Sequence, residues 1–144
     1  MPAKPNVLPI DQEVTFQEEG LEARGLITRT DLHGIITYAS KAYRQMTKYD
    51  KNELIGKPHS IVRHPDMPAA AFKQMWDAIK ADNVWEGYVK NLRKDGKYYW
   101  VIVRIEPLFD EYGKKIGYTG LRREPDRTIV REINKKYKEM LNNE

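Results

Sequence analysis

The sequence contains no cysteine. That absence excludes disulfides, thiolate metal sites, a cysteine nucleophile and any light-driven thiol adduct. Long apolar runs are missing too. Nothing approaches the ~20 residues a membrane-spanning helix needs, and the opening Met1-Pro2-Ala3-Lys4 lacks the apolar stretch of a secretion signal. A soluble, cytoplasmic chain with no direct membrane insertion is expected. There is no Gly-rich phosphate loop, no metal-spaced set of His, Asp and Glu, and no nucleophile–base arrangement, so an enzyme is not expected. Excess charge is small: 25 Lys and Arg against 21 Asp and Glu leave +4. The two signs are interspersed, as on an ordinary solvated surface. Arg93-Lys94 beside Tyr98-Tyr99-Trp100 combines basic and aromatic residues without a nucleic-acid motif. Nucleic acid is therefore not an expected partner.

What the chain does have is enough apolar material for one core. Its 144 residues are 40% hydrophobic and include three Trp and nine Tyr, which suits one domain with tails. Residues 1–24 read as an N-terminal cap or arm whose apolar points are Val14 and Phe16. Residues 25–124 read as the domain proper. Leu26–Thr28 and Ile35–Tyr38 are strand-like and flank the turn Asp31-Leu32-His33-Gly34. Ser40 is placed to cap a short helix reaching about Met46, and residues 47–67 are short-helix and loop material. Pro68 suits a first helical turn. Phe72, Met75, Trp76 and Ile79 follow at i, i+3, i+4 and i+7, one apolar helix face. Three strands are expected near 84–93, 97–107 and 115–123, the first two joined at Asp95-Gly96. Residues 125–144 read as a C-terminal linker or signalling helix, with Ile129, Ile133, Tyr137 and Met140 on one side. The fold class is α+β: a five-stranded antiparallel sheet with short helices on one face, able to leave a ligand cavity between them.

Alternation along the strands selects candidate site residues. Trp85, Gly87, Val89 and Asn91 share one face of their strand, and Glu86, Tyr88, Lys90 and Leu92 share the other, which their charges assign to solvent. Asn91 then points inward, where its amide needs partners. A flat heterocycle with adjacent N–H and C=O groups would supply them, and Gly87 would leave room for it; hydrogen bonds to neighbouring backbone at a bulge would equally satisfy the amide. Tyr99, Val101, Val103 and Ile105 face the core. Tyr98, Trp100 and Ile102 form an outer apolar patch that the arm, the C-terminal helix or a partner must cover. Core packing accounts for Trp76 and Tyr99 as readily as ligand contact does. Arg63 and His64 stand just before a helix N-terminus, a combination suited to pyrophosphate. Alternatively, Asp66 caps that helix and pairs with Arg63.

Thr30-Asp31-Leu32-His33-Gly34-Ile35-Ile36-Thr37-Tyr38 resembles the opening hairpin of PAS domains. Arg63-His64-Pro65-Asp66-Met67-Pro68, followed by Ala70-Ala71-Phe72, Met75-Trp76, Trp85, Gly87, Val89-Lys90-Asn91 and Tyr99-Trp100-Val101, resembles the FAD-binding PAS domains of aerotaxis and related energy-taxis receptors. The likeness runs from about Thr30 to Arg122. Ser40 departs from the Asn that many PAS domains carry there, and the N-terminal arm has no counterpart. The resemblance implies a PAS fold and non-covalent FAD. It assigns Arg63, His64 and Asp66 to FAD binding, and Trp76, Trp85, Asn91 and Tyr99 to the flavin pocket. It implies redox sensing relayed to a chemoreceptor HAMP or signalling region, or to a separate membrane chemoreceptor. A homodimer is compatible with it. Haem bound through His64 or His59, or a cofactor-free interaction module, are the alternative readings.

Overall fold

The computed structural model describes residues 7–144; the first six residues of the expected arm lie outside the described part. Five strands form one antiparallel sheet in the order β2-β1-β5-β4-β3. They are β1 (Leu26–Asp31), β2 (Ile36–Ala39), β3 (Trp85–Leu92), β4 (Tyr98–Phe109) and β5 (Lys115–Arg123). Between β2 and β3 run α1 (Lys41–Thr47), α2 (Lys51–Leu54), a 3₁₀ turn (His59–Val62) and α3 (Ala69–Lys80); α4 (Arg127–Asn142) follows β5.

Local chemistry sets these boundaries. Asp31 Oδ1 accepts from the N–H groups of His33 (2.8 Å) and Ile35 (3.0 Å), while Gly34 takes φ +82°, so the β1–β2 chain reverses at the expected turn. Ser40 caps α1 by accepting from Tyr43 N–H, and Asp50 with Glu53 forms a capping box on α2. Pro68 is not in the first turn of α3 but at its cap position, with extended backbone. Its fixed φ suits either place, and its lack of an N–H costs nothing at the cap.

The sheet buries both faces over part of its area. Inward, Leu26, Ile36, Tyr43, Met46, Leu54, Val62, Met67, Tyr99 and Val101 build the core. Outward, β5 ends at Arg123, opposite Ile102, so the start of β4 has a free edge there. The arm fills it: Tyr98 N–H donates to Gln12 (3.0 Å) and Val14 N–H to Tyr98 (2.8 Å). Val14 is buried there, while Phe16 belongs to the inward core. Helix α4 completes the cover, its Tyr137 ring stacked on Trp100 at 6.2 Å and its hydroxyl donating to Tyr88 O at 2.7 Å. Both arm and helix thus share the work of covering the apolar patch.

Two expectations change with this second layer. Lys90 and Leu92 do not face solvent; they are 8% and 1% exposed, because the layer lies over them. On α4 the buried residue is Val130, whereas Ile129 is 38% exposed. The packed stripe therefore starts one residue later than the spacing suggested. Among the described residues, no helix is long and apolar enough to cross a membrane.

Candidate functional site

A cavity of about 750 Å³ separates the sheet from α3 and the 3₁₀ turn, within the range of small-ligand and cofactor sites. Its floor is the inward face of the sheet. Thr28 and Thr30 come from β1, Tyr118, Gly120 and Arg122 from β5, Val103 and Ile105 from β4, and Val89 and Asn91 from β3. Its roof is α3, through Phe72, Met75, Trp76 and Ile79. Arg63 and Lys73 also line it, Arg63 lying over the Phe72 ring at 4.7 Å. Among the described residues, the cavity wall includes Arg63, Lys73 and Arg122 but no carboxylate. A ligand carrying negative charge fits that field.

At the floor, Arg122 is 5% exposed. Its Nη1 donates to Thr28 Oγ1 (2.9 Å) and Gly120 O (3.3 Å), and its Nη2 lies 2.8 Å from His59 Nε2. Gly120, with no side chain, lets the guanidinium fold back over the sheet: a Cβ there would stand 3.1 Å from it. Burial and the Arg122 charge push the His59 pKa down to about 3, so His59 is neutral and Nε2 is the acceptor. Behind this group the Tyr43 and Tyr99 hydroxyls are buried without a hydrogen-bond partner. Burial pushes Tyr43 up to about 12, against the pull of Arg122, and raises Tyr99 well above its ordinary value.

The residues singled out from the sequence divide into two groups. Arg63, Trp76 and Asn91 line the cavity. Asn91 is 5% exposed, and its backbone bridges that of Arg63. Tyr99 lies beneath the floor beside Asn91 and Tyr43. Trp85 folds over its own strand. A Cβ on Gly87 would come within 2.5 Å of the indole, so Gly87 makes room for Trp85 and not for a ligand.

His64 and Asp66 face the other way, into a second hollow with Asp11, Lys90, Tyr98, Asn134 and Lys138. Asp66 pairs with Lys90 Nζ at 2.8 Å, and Lys90 also sits 4.2 Å from the Tyr98 ring centre. The backbone N–H of Asp66 donates to His64 Nδ1 at 3.0 Å. The alternative in which Asp66 caps α3 and pairs with Arg63 therefore fails. The first N–H of α3, at Ala69, instead donates to Glu144 Oε1 at 2.7 Å. Burial, then the Lys90 charge, lowers the His64 pKa to about 4, with Asp66 opposing. Desolvation, the largest single effect, raises the Asp66 pKa, but the Lys90 hydrogen bond and charge, with smaller help from other neighbours, outweigh it and hold Asp66 below the usual carboxylate range. Sequence reasoning passed over Thr28 and Arg122. Alternation on β5, with Tyr118, Gly120 and Arg122 two apart, carried that signal.

This fold recurs in known proteins. Residues 36–122 match the family model described as PAS fold. The chain belongs to the PAS family. This PAS domain is 46% identical over 97 residues to the aerotaxis receptor of Escherichia coli, covering 67% of the chain and 19% of the receptor. It is 34% identical over 87 residues to rice phototropin-2, covering 60% and 10%. The chain thus spans a fifth or less of these two curated relatives. Among solved structures, the light-state LOV domain of Aureochrome1 superposes with a TM-score of 0.67 at 20% identity, over 86% of this chain and 98% of that one. At that identity the likeness speaks for the PAS fold alone.

Proposed function

We propose that this chain is a sensory PAS domain that binds FAD non-covalently between sheet and α3 and relays its redox state to a chemotaxis signalling partner. The observation that carries this reading is the cavity wall: apolar and aromatic above, one inward amide on β3, three cations and no carboxylate. The identity to the aerotaxis receptor supports the aerotaxis class of output.

The residues present fit the cofactor. Trp76 and Phe72 offer flat apolar surface, and Asn91 offers a donor and an acceptor to the polar edge of the ring. Arg63 and Lys73 suit the pyrophosphate. His64 and Asp66 would act from behind, by fixing the loop that carries Arg63, and Trp85 and Tyr99 by supporting the strands that carry Asn91. Bound there, FAD would supply reversible electron uptake set by electron-transport activity. A change in ring charge shifts the hydrogen bonding that the Asn91 amide finds best, and only such differential interaction can bias the protein. Through β3 and β4 the bias would reach the outer residues Trp100 and Ile102, the first of which stacks against Tyr137 of α4. We divide the chain into arm (1–24), PAS domain (25–124) and signalling helix (125–144). Arm and helix are then the relay toward a chemoreceptor HAMP or signalling region, a separate receptor or a second copy. The role is non-catalytic and cytoplasmic.

The test is an FAD titration of the purified chain, followed by absorbance and thermal shift, with Asn91→Ala in parallel. Expected are a flavin spectrum, stabilisation by FAD and at least about tenfold weaker binding in the variant, equivalent to about 1.4 kcal/mol. A colourless protein whose melting ignores FAD would sink the proposal. So would a haem spectrum, although His59 Nε2 is already engaged by Arg122 and His64 faces the opposite hollow.

A further inference from the structure

Arg122 is a buried cation with no acidic partner. None of the ion pairs among the described residues includes it, and the cavity wall offers no carboxylate. Its three hydrogen-bond partners, Thr28 Oγ1, Gly120 O and His59 Nε2, are uncharged acceptors. It also lies over the face of the Tyr43 ring, 5.0 Å from the guanidinium carbon, which carries no net charge. A guanidinium has five N–H groups; three are engaged, so two remain. Taking such a charge out of water is costly unless an opposite charge or further hydrogen bonds compensate. Gly120 and the neutral His59 hold the group against the floor, on the same face as Asn91 and opposite the Trp76 side of α3. The three cations thus separate into Arg63, beside Phe72 before the roof helix, Lys73 on that helix, and Arg122 alone at the sheet.

We propose that Arg122 is the counter-charge for the ring of the bound cofactor in its negatively charged reduced state, and so sets its redox potential and protonation. This rests on the FAD reading above. In the step concerned, the oxidised ring gains two electrons and one proton and ends with one negative charge. A reduced carrier such as a nicotinamide or a quinol supplies the electrons, and water supplies the proton. Arg122 stabilises that anion and has nothing comparable to meet in the neutral oxidised ring. The reduced form is therefore bound more tightly than the oxidised form.

The experiment uses the full chain loaded with FAD and reduced by dithionite, comparing wild type with Arg122→Gln and Arg122→Lys. It measures the midpoint potential, and the protons taken up at mildly acidic pH in weak buffer. Wild type is expected to take up one proton per two electrons, and Arg122→Gln close to two. Arg122→Gln should lose at least tenfold of the preference for reduced cofactor, a fall of about 30 mV for a two-electron couple; Arg122→Lys should retain most of it. An Arg122→Gln protein that holds FAD with unchanged potential and unchanged proton uptake overturns the inference and leaves FAD binding intact. Two protons per two electrons in the wild type overturns it without any variant, should the Gln protein not fold. Failure of the wild type to bind FAD overturns this inference and the parent reading together.

Discussion

Acid should loosen the ligand-free protein well before its carboxylates titrate, and His59 should be a principal cause. In the folded chain its pKa is down to about 3, from 6.5, through burial and the neighbouring Arg122. A depressed histidine leaves the unfolded chain binding the extra proton. Stability is therefore complete above the unfolded pKa and falls as pH drops through about 6.5 toward about 3. From about pH 7.5 to about pH 4.5 the loss approaches two units at ~1.36 kcal/mol each, or about 2.7 kcal/mol. Water reaching the cavity wall screens part of this, so about 1.5–2.7 kcal/mol is expected. His64, lowered to about 4 by burial and Lys90, adds a similar effect over the same interval. The perturbation is His59→Gln, whose amide oxygen can accept from Arg122 at any pH. Urea unfolding of wild type and variant at the two pH values gives four free energies. The variant should show a pH dependence smaller by about 1.5–2.7 kcal/mol. Equal pH dependence in the two proteins would refute the reasoning, because His59 would then not be held neutral by its surroundings.

Two further outcomes test the packing around the site. Asp66→Ala leaves the buried Lys90 ammonium without its carboxylate. It should cost about 1–2 kcal/mol, below the ~3–5 kcal/mol of a fully buried pair because Asp66 is half exposed. Lys90→Met added to it should recover most of the loss in urea unfolding, and a double variant as unstable as the single one would contradict the pairing. Gly87→Ala drives a Cβ against the Trp85 indole. It should destabilise by about 1–3 kcal/mol and shift the tryptophan fluorescence; an unchanged spectrum would mean that the indole does not lie there.

The fold was legible because its punctuation is local. Asp31 to Gly34, Ser40 and Asp95-Gly96 each fix a turn or cap through their own backbone bonds, and such signals survive without tertiary context. Asn91 was legible too, since alternation put it on the core side and the cavity is on that side. Alternation misled at Lys90 for a physical reason: it assigns charge to solvent only while one face of the sheet is wet, and here the arm and α4 dry the other face. The basic loop before α3 looked like one cluster. A chain in extended conformation sends neighbours to opposite sides, so Arg63 went to the cavity and His64 to the outer hollow. Arg122 escaped notice because a charged residue near a strand end reads as surface. Alternation with Tyr118 and Gly120 gives its face, and the partnering of β5 with both β1 and β4 makes that face part of the floor.

The bridge between Arg63 and Asn91 makes a rocker of these two segments. Each has one side chain turned to the cavity, and the next residue along (His64) or the one before (Lys90) turned to the outer hollow, while the backbones are pinned together. A guest that tilted either peptide plane on one side would swing the Lys90–Asp66 pair on the other. A ligand that gripped the outer hollow would then alter how tightly the interior held a guest, with the same coupling free energy in both directions.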